Sequence, residues 1–72
     1  MRVALDSSKL ERGLQIRGMD LSELAALTGL SSTTVASALA GKAVNMSTAL
    51  AVAQALKERP VVEGLEELMP SR

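Results

Sequence analysis

Apolar residues return at helical spacing along most of this chain, and glycines cut the pattern into segments. The most informative stretch is residues 21–41, LSELAALTGLSSTTVASALAG. Leu21, Leu24, Ala25 and Leu27 define one helix there. Asp20 is its N-cap, and Glu23 three residues on completes the pattern of a capping box. Gly29 stops this helix, because glycine enters the left-handed region at little cost. Ser31 or Ser32 caps a second helix with Val35, Ala38 and Leu39 on its apolar side, and Gly41 ends it. The spacing predicts two short helices joined by a tight turn. Ala25 is small enough for a helix to cross close above it, Gly29 permits the change of direction, and Val35 plugs the space between the two.

The flanking segments extend the helical pattern. Residues 7–17 predict a first helix, with Leu10 and Leu14 one turn apart and Gly18 as its stop. Gly13 in its middle costs about 1 kcal/mol against Ala, and the reading is that it lets another helix approach closely. Residues 1–5 are apolar with one Arg, an extended arm or a short strand. Residues 42–46 read as a loop. Ser47 then caps a fourth helix reaching about residue 58, with Leu50, Ala53, Leu56 and Ala49 as its buried stripe and Pro60 as its stop. Val61 and Val62 look extended and could pair with residues 3–5 in a small ribbon joining the chain ends. Residues 63–69 predict a last short helix with Leu65, Leu68 and Met69 on one side, and residues 70–72 read as a frayed end.

Composition sharpens this picture. The 72 residues suffice for one small domain, residues 1–72, without internal repeats or linkers. Phe, Tyr and Trp are absent, so the core must come from Leu, Val, Ile, Met and Ala, and the abundance of Ala and Leu predicts an all-α fold. Such a core is marginal alone, which makes self-association an expectation. Without Cys or His there is no disulfide, no thiolate metal site, and no histidine to activate Ser32 or Ser37 as a nucleophile. Glu63, Glu66 and Glu67 read as the solvated face of the last helix rather than a metal or acid–base site. No catalytic residue, metal or cofactor is expected. With no signal-peptide pattern and no apolar run of membrane-spanning length, the expectation is a soluble, cytoplasmic protein. The net charge of zero weighs against nucleic acid, but its distribution is uneven. Glu58, Glu63, Glu66 and Glu67 crowd the chain end, while Arg2, Lys9, Arg12, Arg17 and Lys42 lie earlier, so one end could meet phosphates.

Ala25, Gly29 and Val35, at the spacing Ala-x3-Gly-x5-Val, resemble the helix-turn-helix of the phage-repressor superfamily, the Cro/CI-type or Xre-like transcription regulators. Gly18-Met19-Asp20, Leu24-Ala25, Gly29-Leu30-Ser31, Thr34-Val35, Gly41-Lys42 and Ser47 with its helical stripe extend the likeness over roughly residues 10–56. It implies a compact four- to five-helix DNA-binding domain whose second motif helix lies in the major groove of double-stranded DNA, within the nucleoid. It also implies a transcriptional repressor or autoregulator, acting as a homodimer on an inverted-repeat operator, in the setting of phages and other mobile elements. Carried over residue by residue, base contacts fall on Ser32, Thr33, Ala36 and Ser37, and phosphate contacts on Lys42, Asn45, Ser31 and Arg17, with Arg12 and Arg2 as further candidates. Two features depart from the family pattern. Leu21 stands where many members carry Gln, and the outward face of the recognition helix lacks Arg, Gln and Lys. That neutral face keeps open a protein-interaction module on the same scaffold, and an accessory factor for recombination or segregation is a third reading. In residues 60–72, Val61, Val62, Leu65, Leu68 and Met69 are too many apolar residues for a free tail and are the expected dimerisation segment.

Overall fold

Polar side chains start the first three helices. In the computed structural model of the chain, which describes residues 1–69, the Asp6 carboxylate accepts the Lys9 N–H at 3.0 Å, Asp20 accepts that of Glu23 at 2.8 Å, and Ser31 Oγ accepts that of Thr34 at 3.2 Å. Each cap contributes on the order of 1 kcal/mol by satisfying an orphan first-turn donor. The elements they open are α1 (Ser7–Gln15), α2 (Leu21–Thr28) and α3 (Ser32–Leu39). β1 (Arg2–Ala4) precedes them, and β2 (Ala43–Asn45), α4 (Met46–Glu58) and α5 (Leu65–Leu68) follow. The expected all-α fold is therefore present among the described residues as five helices with one two-stranded antiparallel ribbon.

α1, α2, α3 and α4 close around one aliphatic core. Leu10, Leu14, Met19, Leu24, Val35, Ala38, Val44, Ala49, Val52 and Ala55 are buried, with Leu24, Val35 and Val52 sealed from solvent. A fully buried Leu or Val contributes about 1.5–3 kcal/mol. With no aromatic side chain available, the helices meet through Leu, Val, Ala and Met.

The ribbon is not the expected one. Residues 3–5 were expected to meet Val61 and Val62, but β1 pairs with β2 in the register Arg2↔Asn45, Val3↔Val44, Ala4↔Ala43. The segment expected to be a loop is a strand, because Val44 turns into the core while Ala43 and Asn45 stay outside. Val62 instead donates its N–H to the Ile16 carbonyl at 2.9 Å, tying the chain end to the exit of α1.

α4 also differs in detail. It starts at Met46 with Asn45 as N-cap, so Ser47 lies inside the first turn and does not cap it. Its buried face is Thr48, Ala49, Val52 and Ala55; Leu50 is 62% exposed and Ala53 faces outward. Small residues occupy the face that packs closely, whereas the expected stripe followed the larger leucines. Leu27 likewise lies at the rim of α2, 46% exposed. Glu23 leaves the capping box half complete, since its carboxylate faces Arg59 at 3.5 Å. Gly13 does not mark a forbidden approach either. A Cβ there would sit 3.6 Å from Leu56, an ordinary contact. Residues 70–72, read as a frayed end, lie outside the described residues.

Candidate nucleic-acid interface

The turn between α2 and α3 is fixed by three short-range devices. Gly29 adopts φ 73° and donates its N–H to the Ala25 carbonyl at 2.9 Å, ending α2 with a left-handed residue. Thr28 Oγ1 donates back to the Leu24 carbonyl at 2.8 Å and accepts the Leu30 N–H at 3.3 Å. Ser31 then caps α3. Val35 and Ala38 anchor α3 in the core, so the opposite side of the helix is turned to solvent by default.

That outer side carries Ser32, Thr33, Ala36 and Ala40, all exposed, with Ser37 and Thr34 half-buried along one flank. The four expected base-contact residues, Ser32, Thr33, Ala36 and Ser37, therefore share the outer half of α3. The surface is slim and uncharged. Its hydroxyls can donate to or accept from base edges, and its methyls suit the thymine methyl.

The charges around α3 are arranged asymmetrically. No Asp or Glu occurs between Leu24 and Lys57, a span that holds the turn, α3, β2 and nearly all of α4. Lys42 lies just past α3, after Ala40 and Gly41, and is exposed, with no carboxylate within ion-pair distance among the described residues. The acids of the chain end are drawn elsewhere: Glu66 pairs with Arg12 at 3.1 Å. Arg12 is thereby engaged on the α1–α5 side.

The expected phosphate contacts separate into different roles. Lys42 is free to reach outward, and Asn45, exposed at the start of α4, makes no side-chain cap bond. Ser31 spends its hydroxyl on the Thr34 amide and lies 2.9 Å from Thr34 Oγ1, so its first role is the helix start. Arg17, another expected phosphate contact, is engaged inside the domain. Its Nε donates to the Leu56 and Arg59 carbonyls at 3.0 and 3.2 Å, and its Nη1 to the Gly13 carbonyl at 2.9 Å. A half-buried guanidinium thus closes the C-terminal end of α4, where unpaired carbonyls and the helix dipole both favour a cation.

A polar notch of about 210 Å³ opens beside α3, lined by Arg2, Thr34, Ser37, Ala43, Val44, Asn45 and Thr48. Sequence reading placed Arg2 on an arm or short strand as a weaker phosphate candidate, and took the amides near Ser47 and Thr48 as uncharged contacts. The ribbon brings Arg2, and the first turn of α4 brings Thr48, to the notch beside α3. The signal for this was faint, a single β-branched Val44 between Ala43 and Asn45, neither of which favours a strand.

At the other end of the chain Val61 and Val62 are each 47% exposed and Leu68 is 83% exposed, while Leu65 and Met69 are partly covered by the domain itself. Among the described residues there is no cluster of metal-binding side chains, and no helix is long and apolar enough to cross a membrane.

Comparison with known proteins agrees with this geometry. The family model of the Cro/C1-type HTH DNA-binding domain matches residues 9–61, from α1 through the residues that follow α4. Searches of curated proteins and of solved structures return no match. A match across most of the chain, on the segment that folds into the two motif helices and their support, places this protein in the Cro/C1-type helix-turn-helix DNA-binding family.

Proposed function

We propose that this domain is a sequence-specific, double-stranded DNA-binding transcriptional regulator, a repressor or autoregulator that reads DNA with α3. The observation that carries this is the exposed, uncharged outer half of α3, set in a span without carboxylates and followed closely by Lys42. Thr33, Ser32, Ser37 and the Ala36 methyl contact base edges in the major groove, while Lys42 and Asn45 hold the flanking phosphates. Replacing Thr33 and Ser37 together with alanine should leave the fold intact and weaken binding to the preferred site by ~1–3 kcal/mol per lost base contact, with non-specific binding unchanged. Lys42→Ala should instead weaken all duplexes about equally and reduce the salt dependence. Titrations of both variants on specific and scrambled duplexes separate these effects. Identical behaviour of the two variants across sequences defeats the division between base and phosphate contacts.

A single neutral recognition helix supplies modest half-site energy, and dimerisation doubles it. We place the dimer contact on Val61, Val62 and Leu68, with the covered sides of Leu65 and Met69 closing the monomer. Two α3 helices about 34 Å apart would then meet successive major grooves of an inverted repeat. Because Leu68 is 83% exposed, Leu68→Glu should preserve the melting transition of the monomer fold while shifting light scattering to the monomer mass. A wild-type protein that stays monomeric at high concentration, yet binds one half-site with full affinity, rules out this assembly.

A further inference from the structure

We propose that the notch between β1, α3 and the start of α4 is a seat for one DNA backbone phosphate, with Arg2 as its cation. The proposal rests on the reading that α3 enters the groove, and adds the N-terminal strand to the DNA interface. The ribbon register sets it up. Arg2 pairs with Asn45 and Val3 with Val44. Since Val44 faces the core, alternation along the strands puts Arg2 and Asn45 together on the outer side. Arg2 Nη2 donates to the Ala43 carbonyl at 2.6 Å, which fixes the guanidinium at the notch and leaves its remaining N–H donors for a ligand.

The rest of the lining suits an anion. Thr48 is 92% buried by its 8% exposure, and its hydroxyl lines the notch without a hydrogen bond to another described residue. No buried side-chain polar atom among the described residues lacks a partner, so the unpaired Thr48 oxygen is one that solvent reaches, and it is open to an acceptor that comes from outside. The Met46 N–H donates to the Met1 carbonyl at 2.9 Å, but Asn45 does not cap α4 with its side chain, so the next amides of this 13-residue helix, at Ser47 and Thr48, have no side-chain cap and its dipole favours negative charge here. No carboxylate lines the notch. Thr34 and Ser37, one turn apart on α3, form its remaining wall, so an occupant sits beside the helix assigned to the groove. A phosphodiester oxygen pair fits this set: a planar cation, neutral donors and helix amides. Arg2 is thus not a loose arm. The strand pairing orders it before DNA arrives.

The test compares the full-length protein with Arg2→Gln, Arg2→Lys and Thr48→Val across a salt series, on specific and scrambled duplexes, with melting curves for each. Arg2→Gln is expected to weaken binding to all duplexes roughly tenfold and to flatten the salt slope by about 0.9, while Arg2→Lys keeps the slope. Thr48→Val is expected to cost roughly two- to tenfold, a neutral hydrogen bond, without changing the slope. Amide NMR adds the source of the phosphate: Ser47 and Thr48 should shift with duplex and stay in place with inorganic phosphate at matched ionic strength. If Arg2→Gln lowers only the melting temperature and leaves affinity and slope unchanged while wild type binds DNA, Arg2 merely braces the ribbon and the seat is overturned. Shifts with inorganic phosphate but not with duplex overturn it as well. If wild type binds no duplex at all, the reading of α3 falls together with it.

Discussion

Gly29→Val is expected to lower the melting temperature by roughly 12–24 °C. The residue sits at φ 73°, a region where a non-glycine residue costs about 1–3 kcal/mol and a β-branched one belongs at the upper end. In a domain of this length each kcal/mol moves the transition by about 4–8 °C. Crowding makes no contribution, because a Cβ at Gly29 would meet nothing within 4 Å. The cost should therefore follow dihedral preference alone. Asparagine, which tolerates the left-handed region, should cost least, alanine more, and valine most. Thermal melts of the three variants check this ranking, and equal losses for asparagine and valine would mean that the turn does not depend on the backbone angle at Gly29.

Arg17→Ala is expected to destabilise the domain by about 2–3 kcal/mol, while leaving DNA affinity unchanged wherever the protein remains folded. The guanidinium holds three carbonyls from two parts of the chain, at Gly13, Leu56 and Arg59. Hydrogen bonds to a charged group contribute about 1.5–3 kcal/mol, and removing this one strands half-buried acceptors at the end of α4. Arg17→Lys should recover little, because a single ammonium cannot span acceptors that the planar fork reaches through Nε and Nη1. Urea unfolding beside a binding titration decides the matter. An unchanged unfolding midpoint with weaker binding and a shallower salt slope would return Arg17 to the phosphate backbone.

The parts of this fold that were legible in the sequence are those encoded locally. Asp20, Gly29 and Ser31 act within three or four residues of themselves, through caps and one backbone angle, so the motif could be read without knowing what surrounds it. The ribbon was not legible for the opposite reason. Its strands are three residues long and pair across about forty residues of chain, and so short a run carries almost no periodicity. The α4 stripe shifted because packing selected small side chains where the sequence offered larger ones: Ala49, Val52 and Ala55 meet the core, while Leu50 stays outside. Arg17 shows the limit of reading charge by position. A cation near a motif can face DNA or the end of a neighbouring helix, and only the tertiary arrangement of α1 against α4 distinguishes the two. Arg2 was ranked as a weaker phosphate candidate, since an arm or short strand with no visible partner gave no reason to expect an ordered guanidinium.

Selection of bound sequences from a random duplex pool, run with wild type and with the Thr33→Ala, Ser37→Ala double variant, tests recognition by α3 most directly. Wild type should enrich an inverted repeat whose half-site centres lie about 34 Å apart, and the double variant should lose that enrichment while retaining salt-dependent binding to the pool. A wild-type pool that shows no enriched sequence, or a double variant that enriches the same repeat equally well, contradicts sequence reading by this helix.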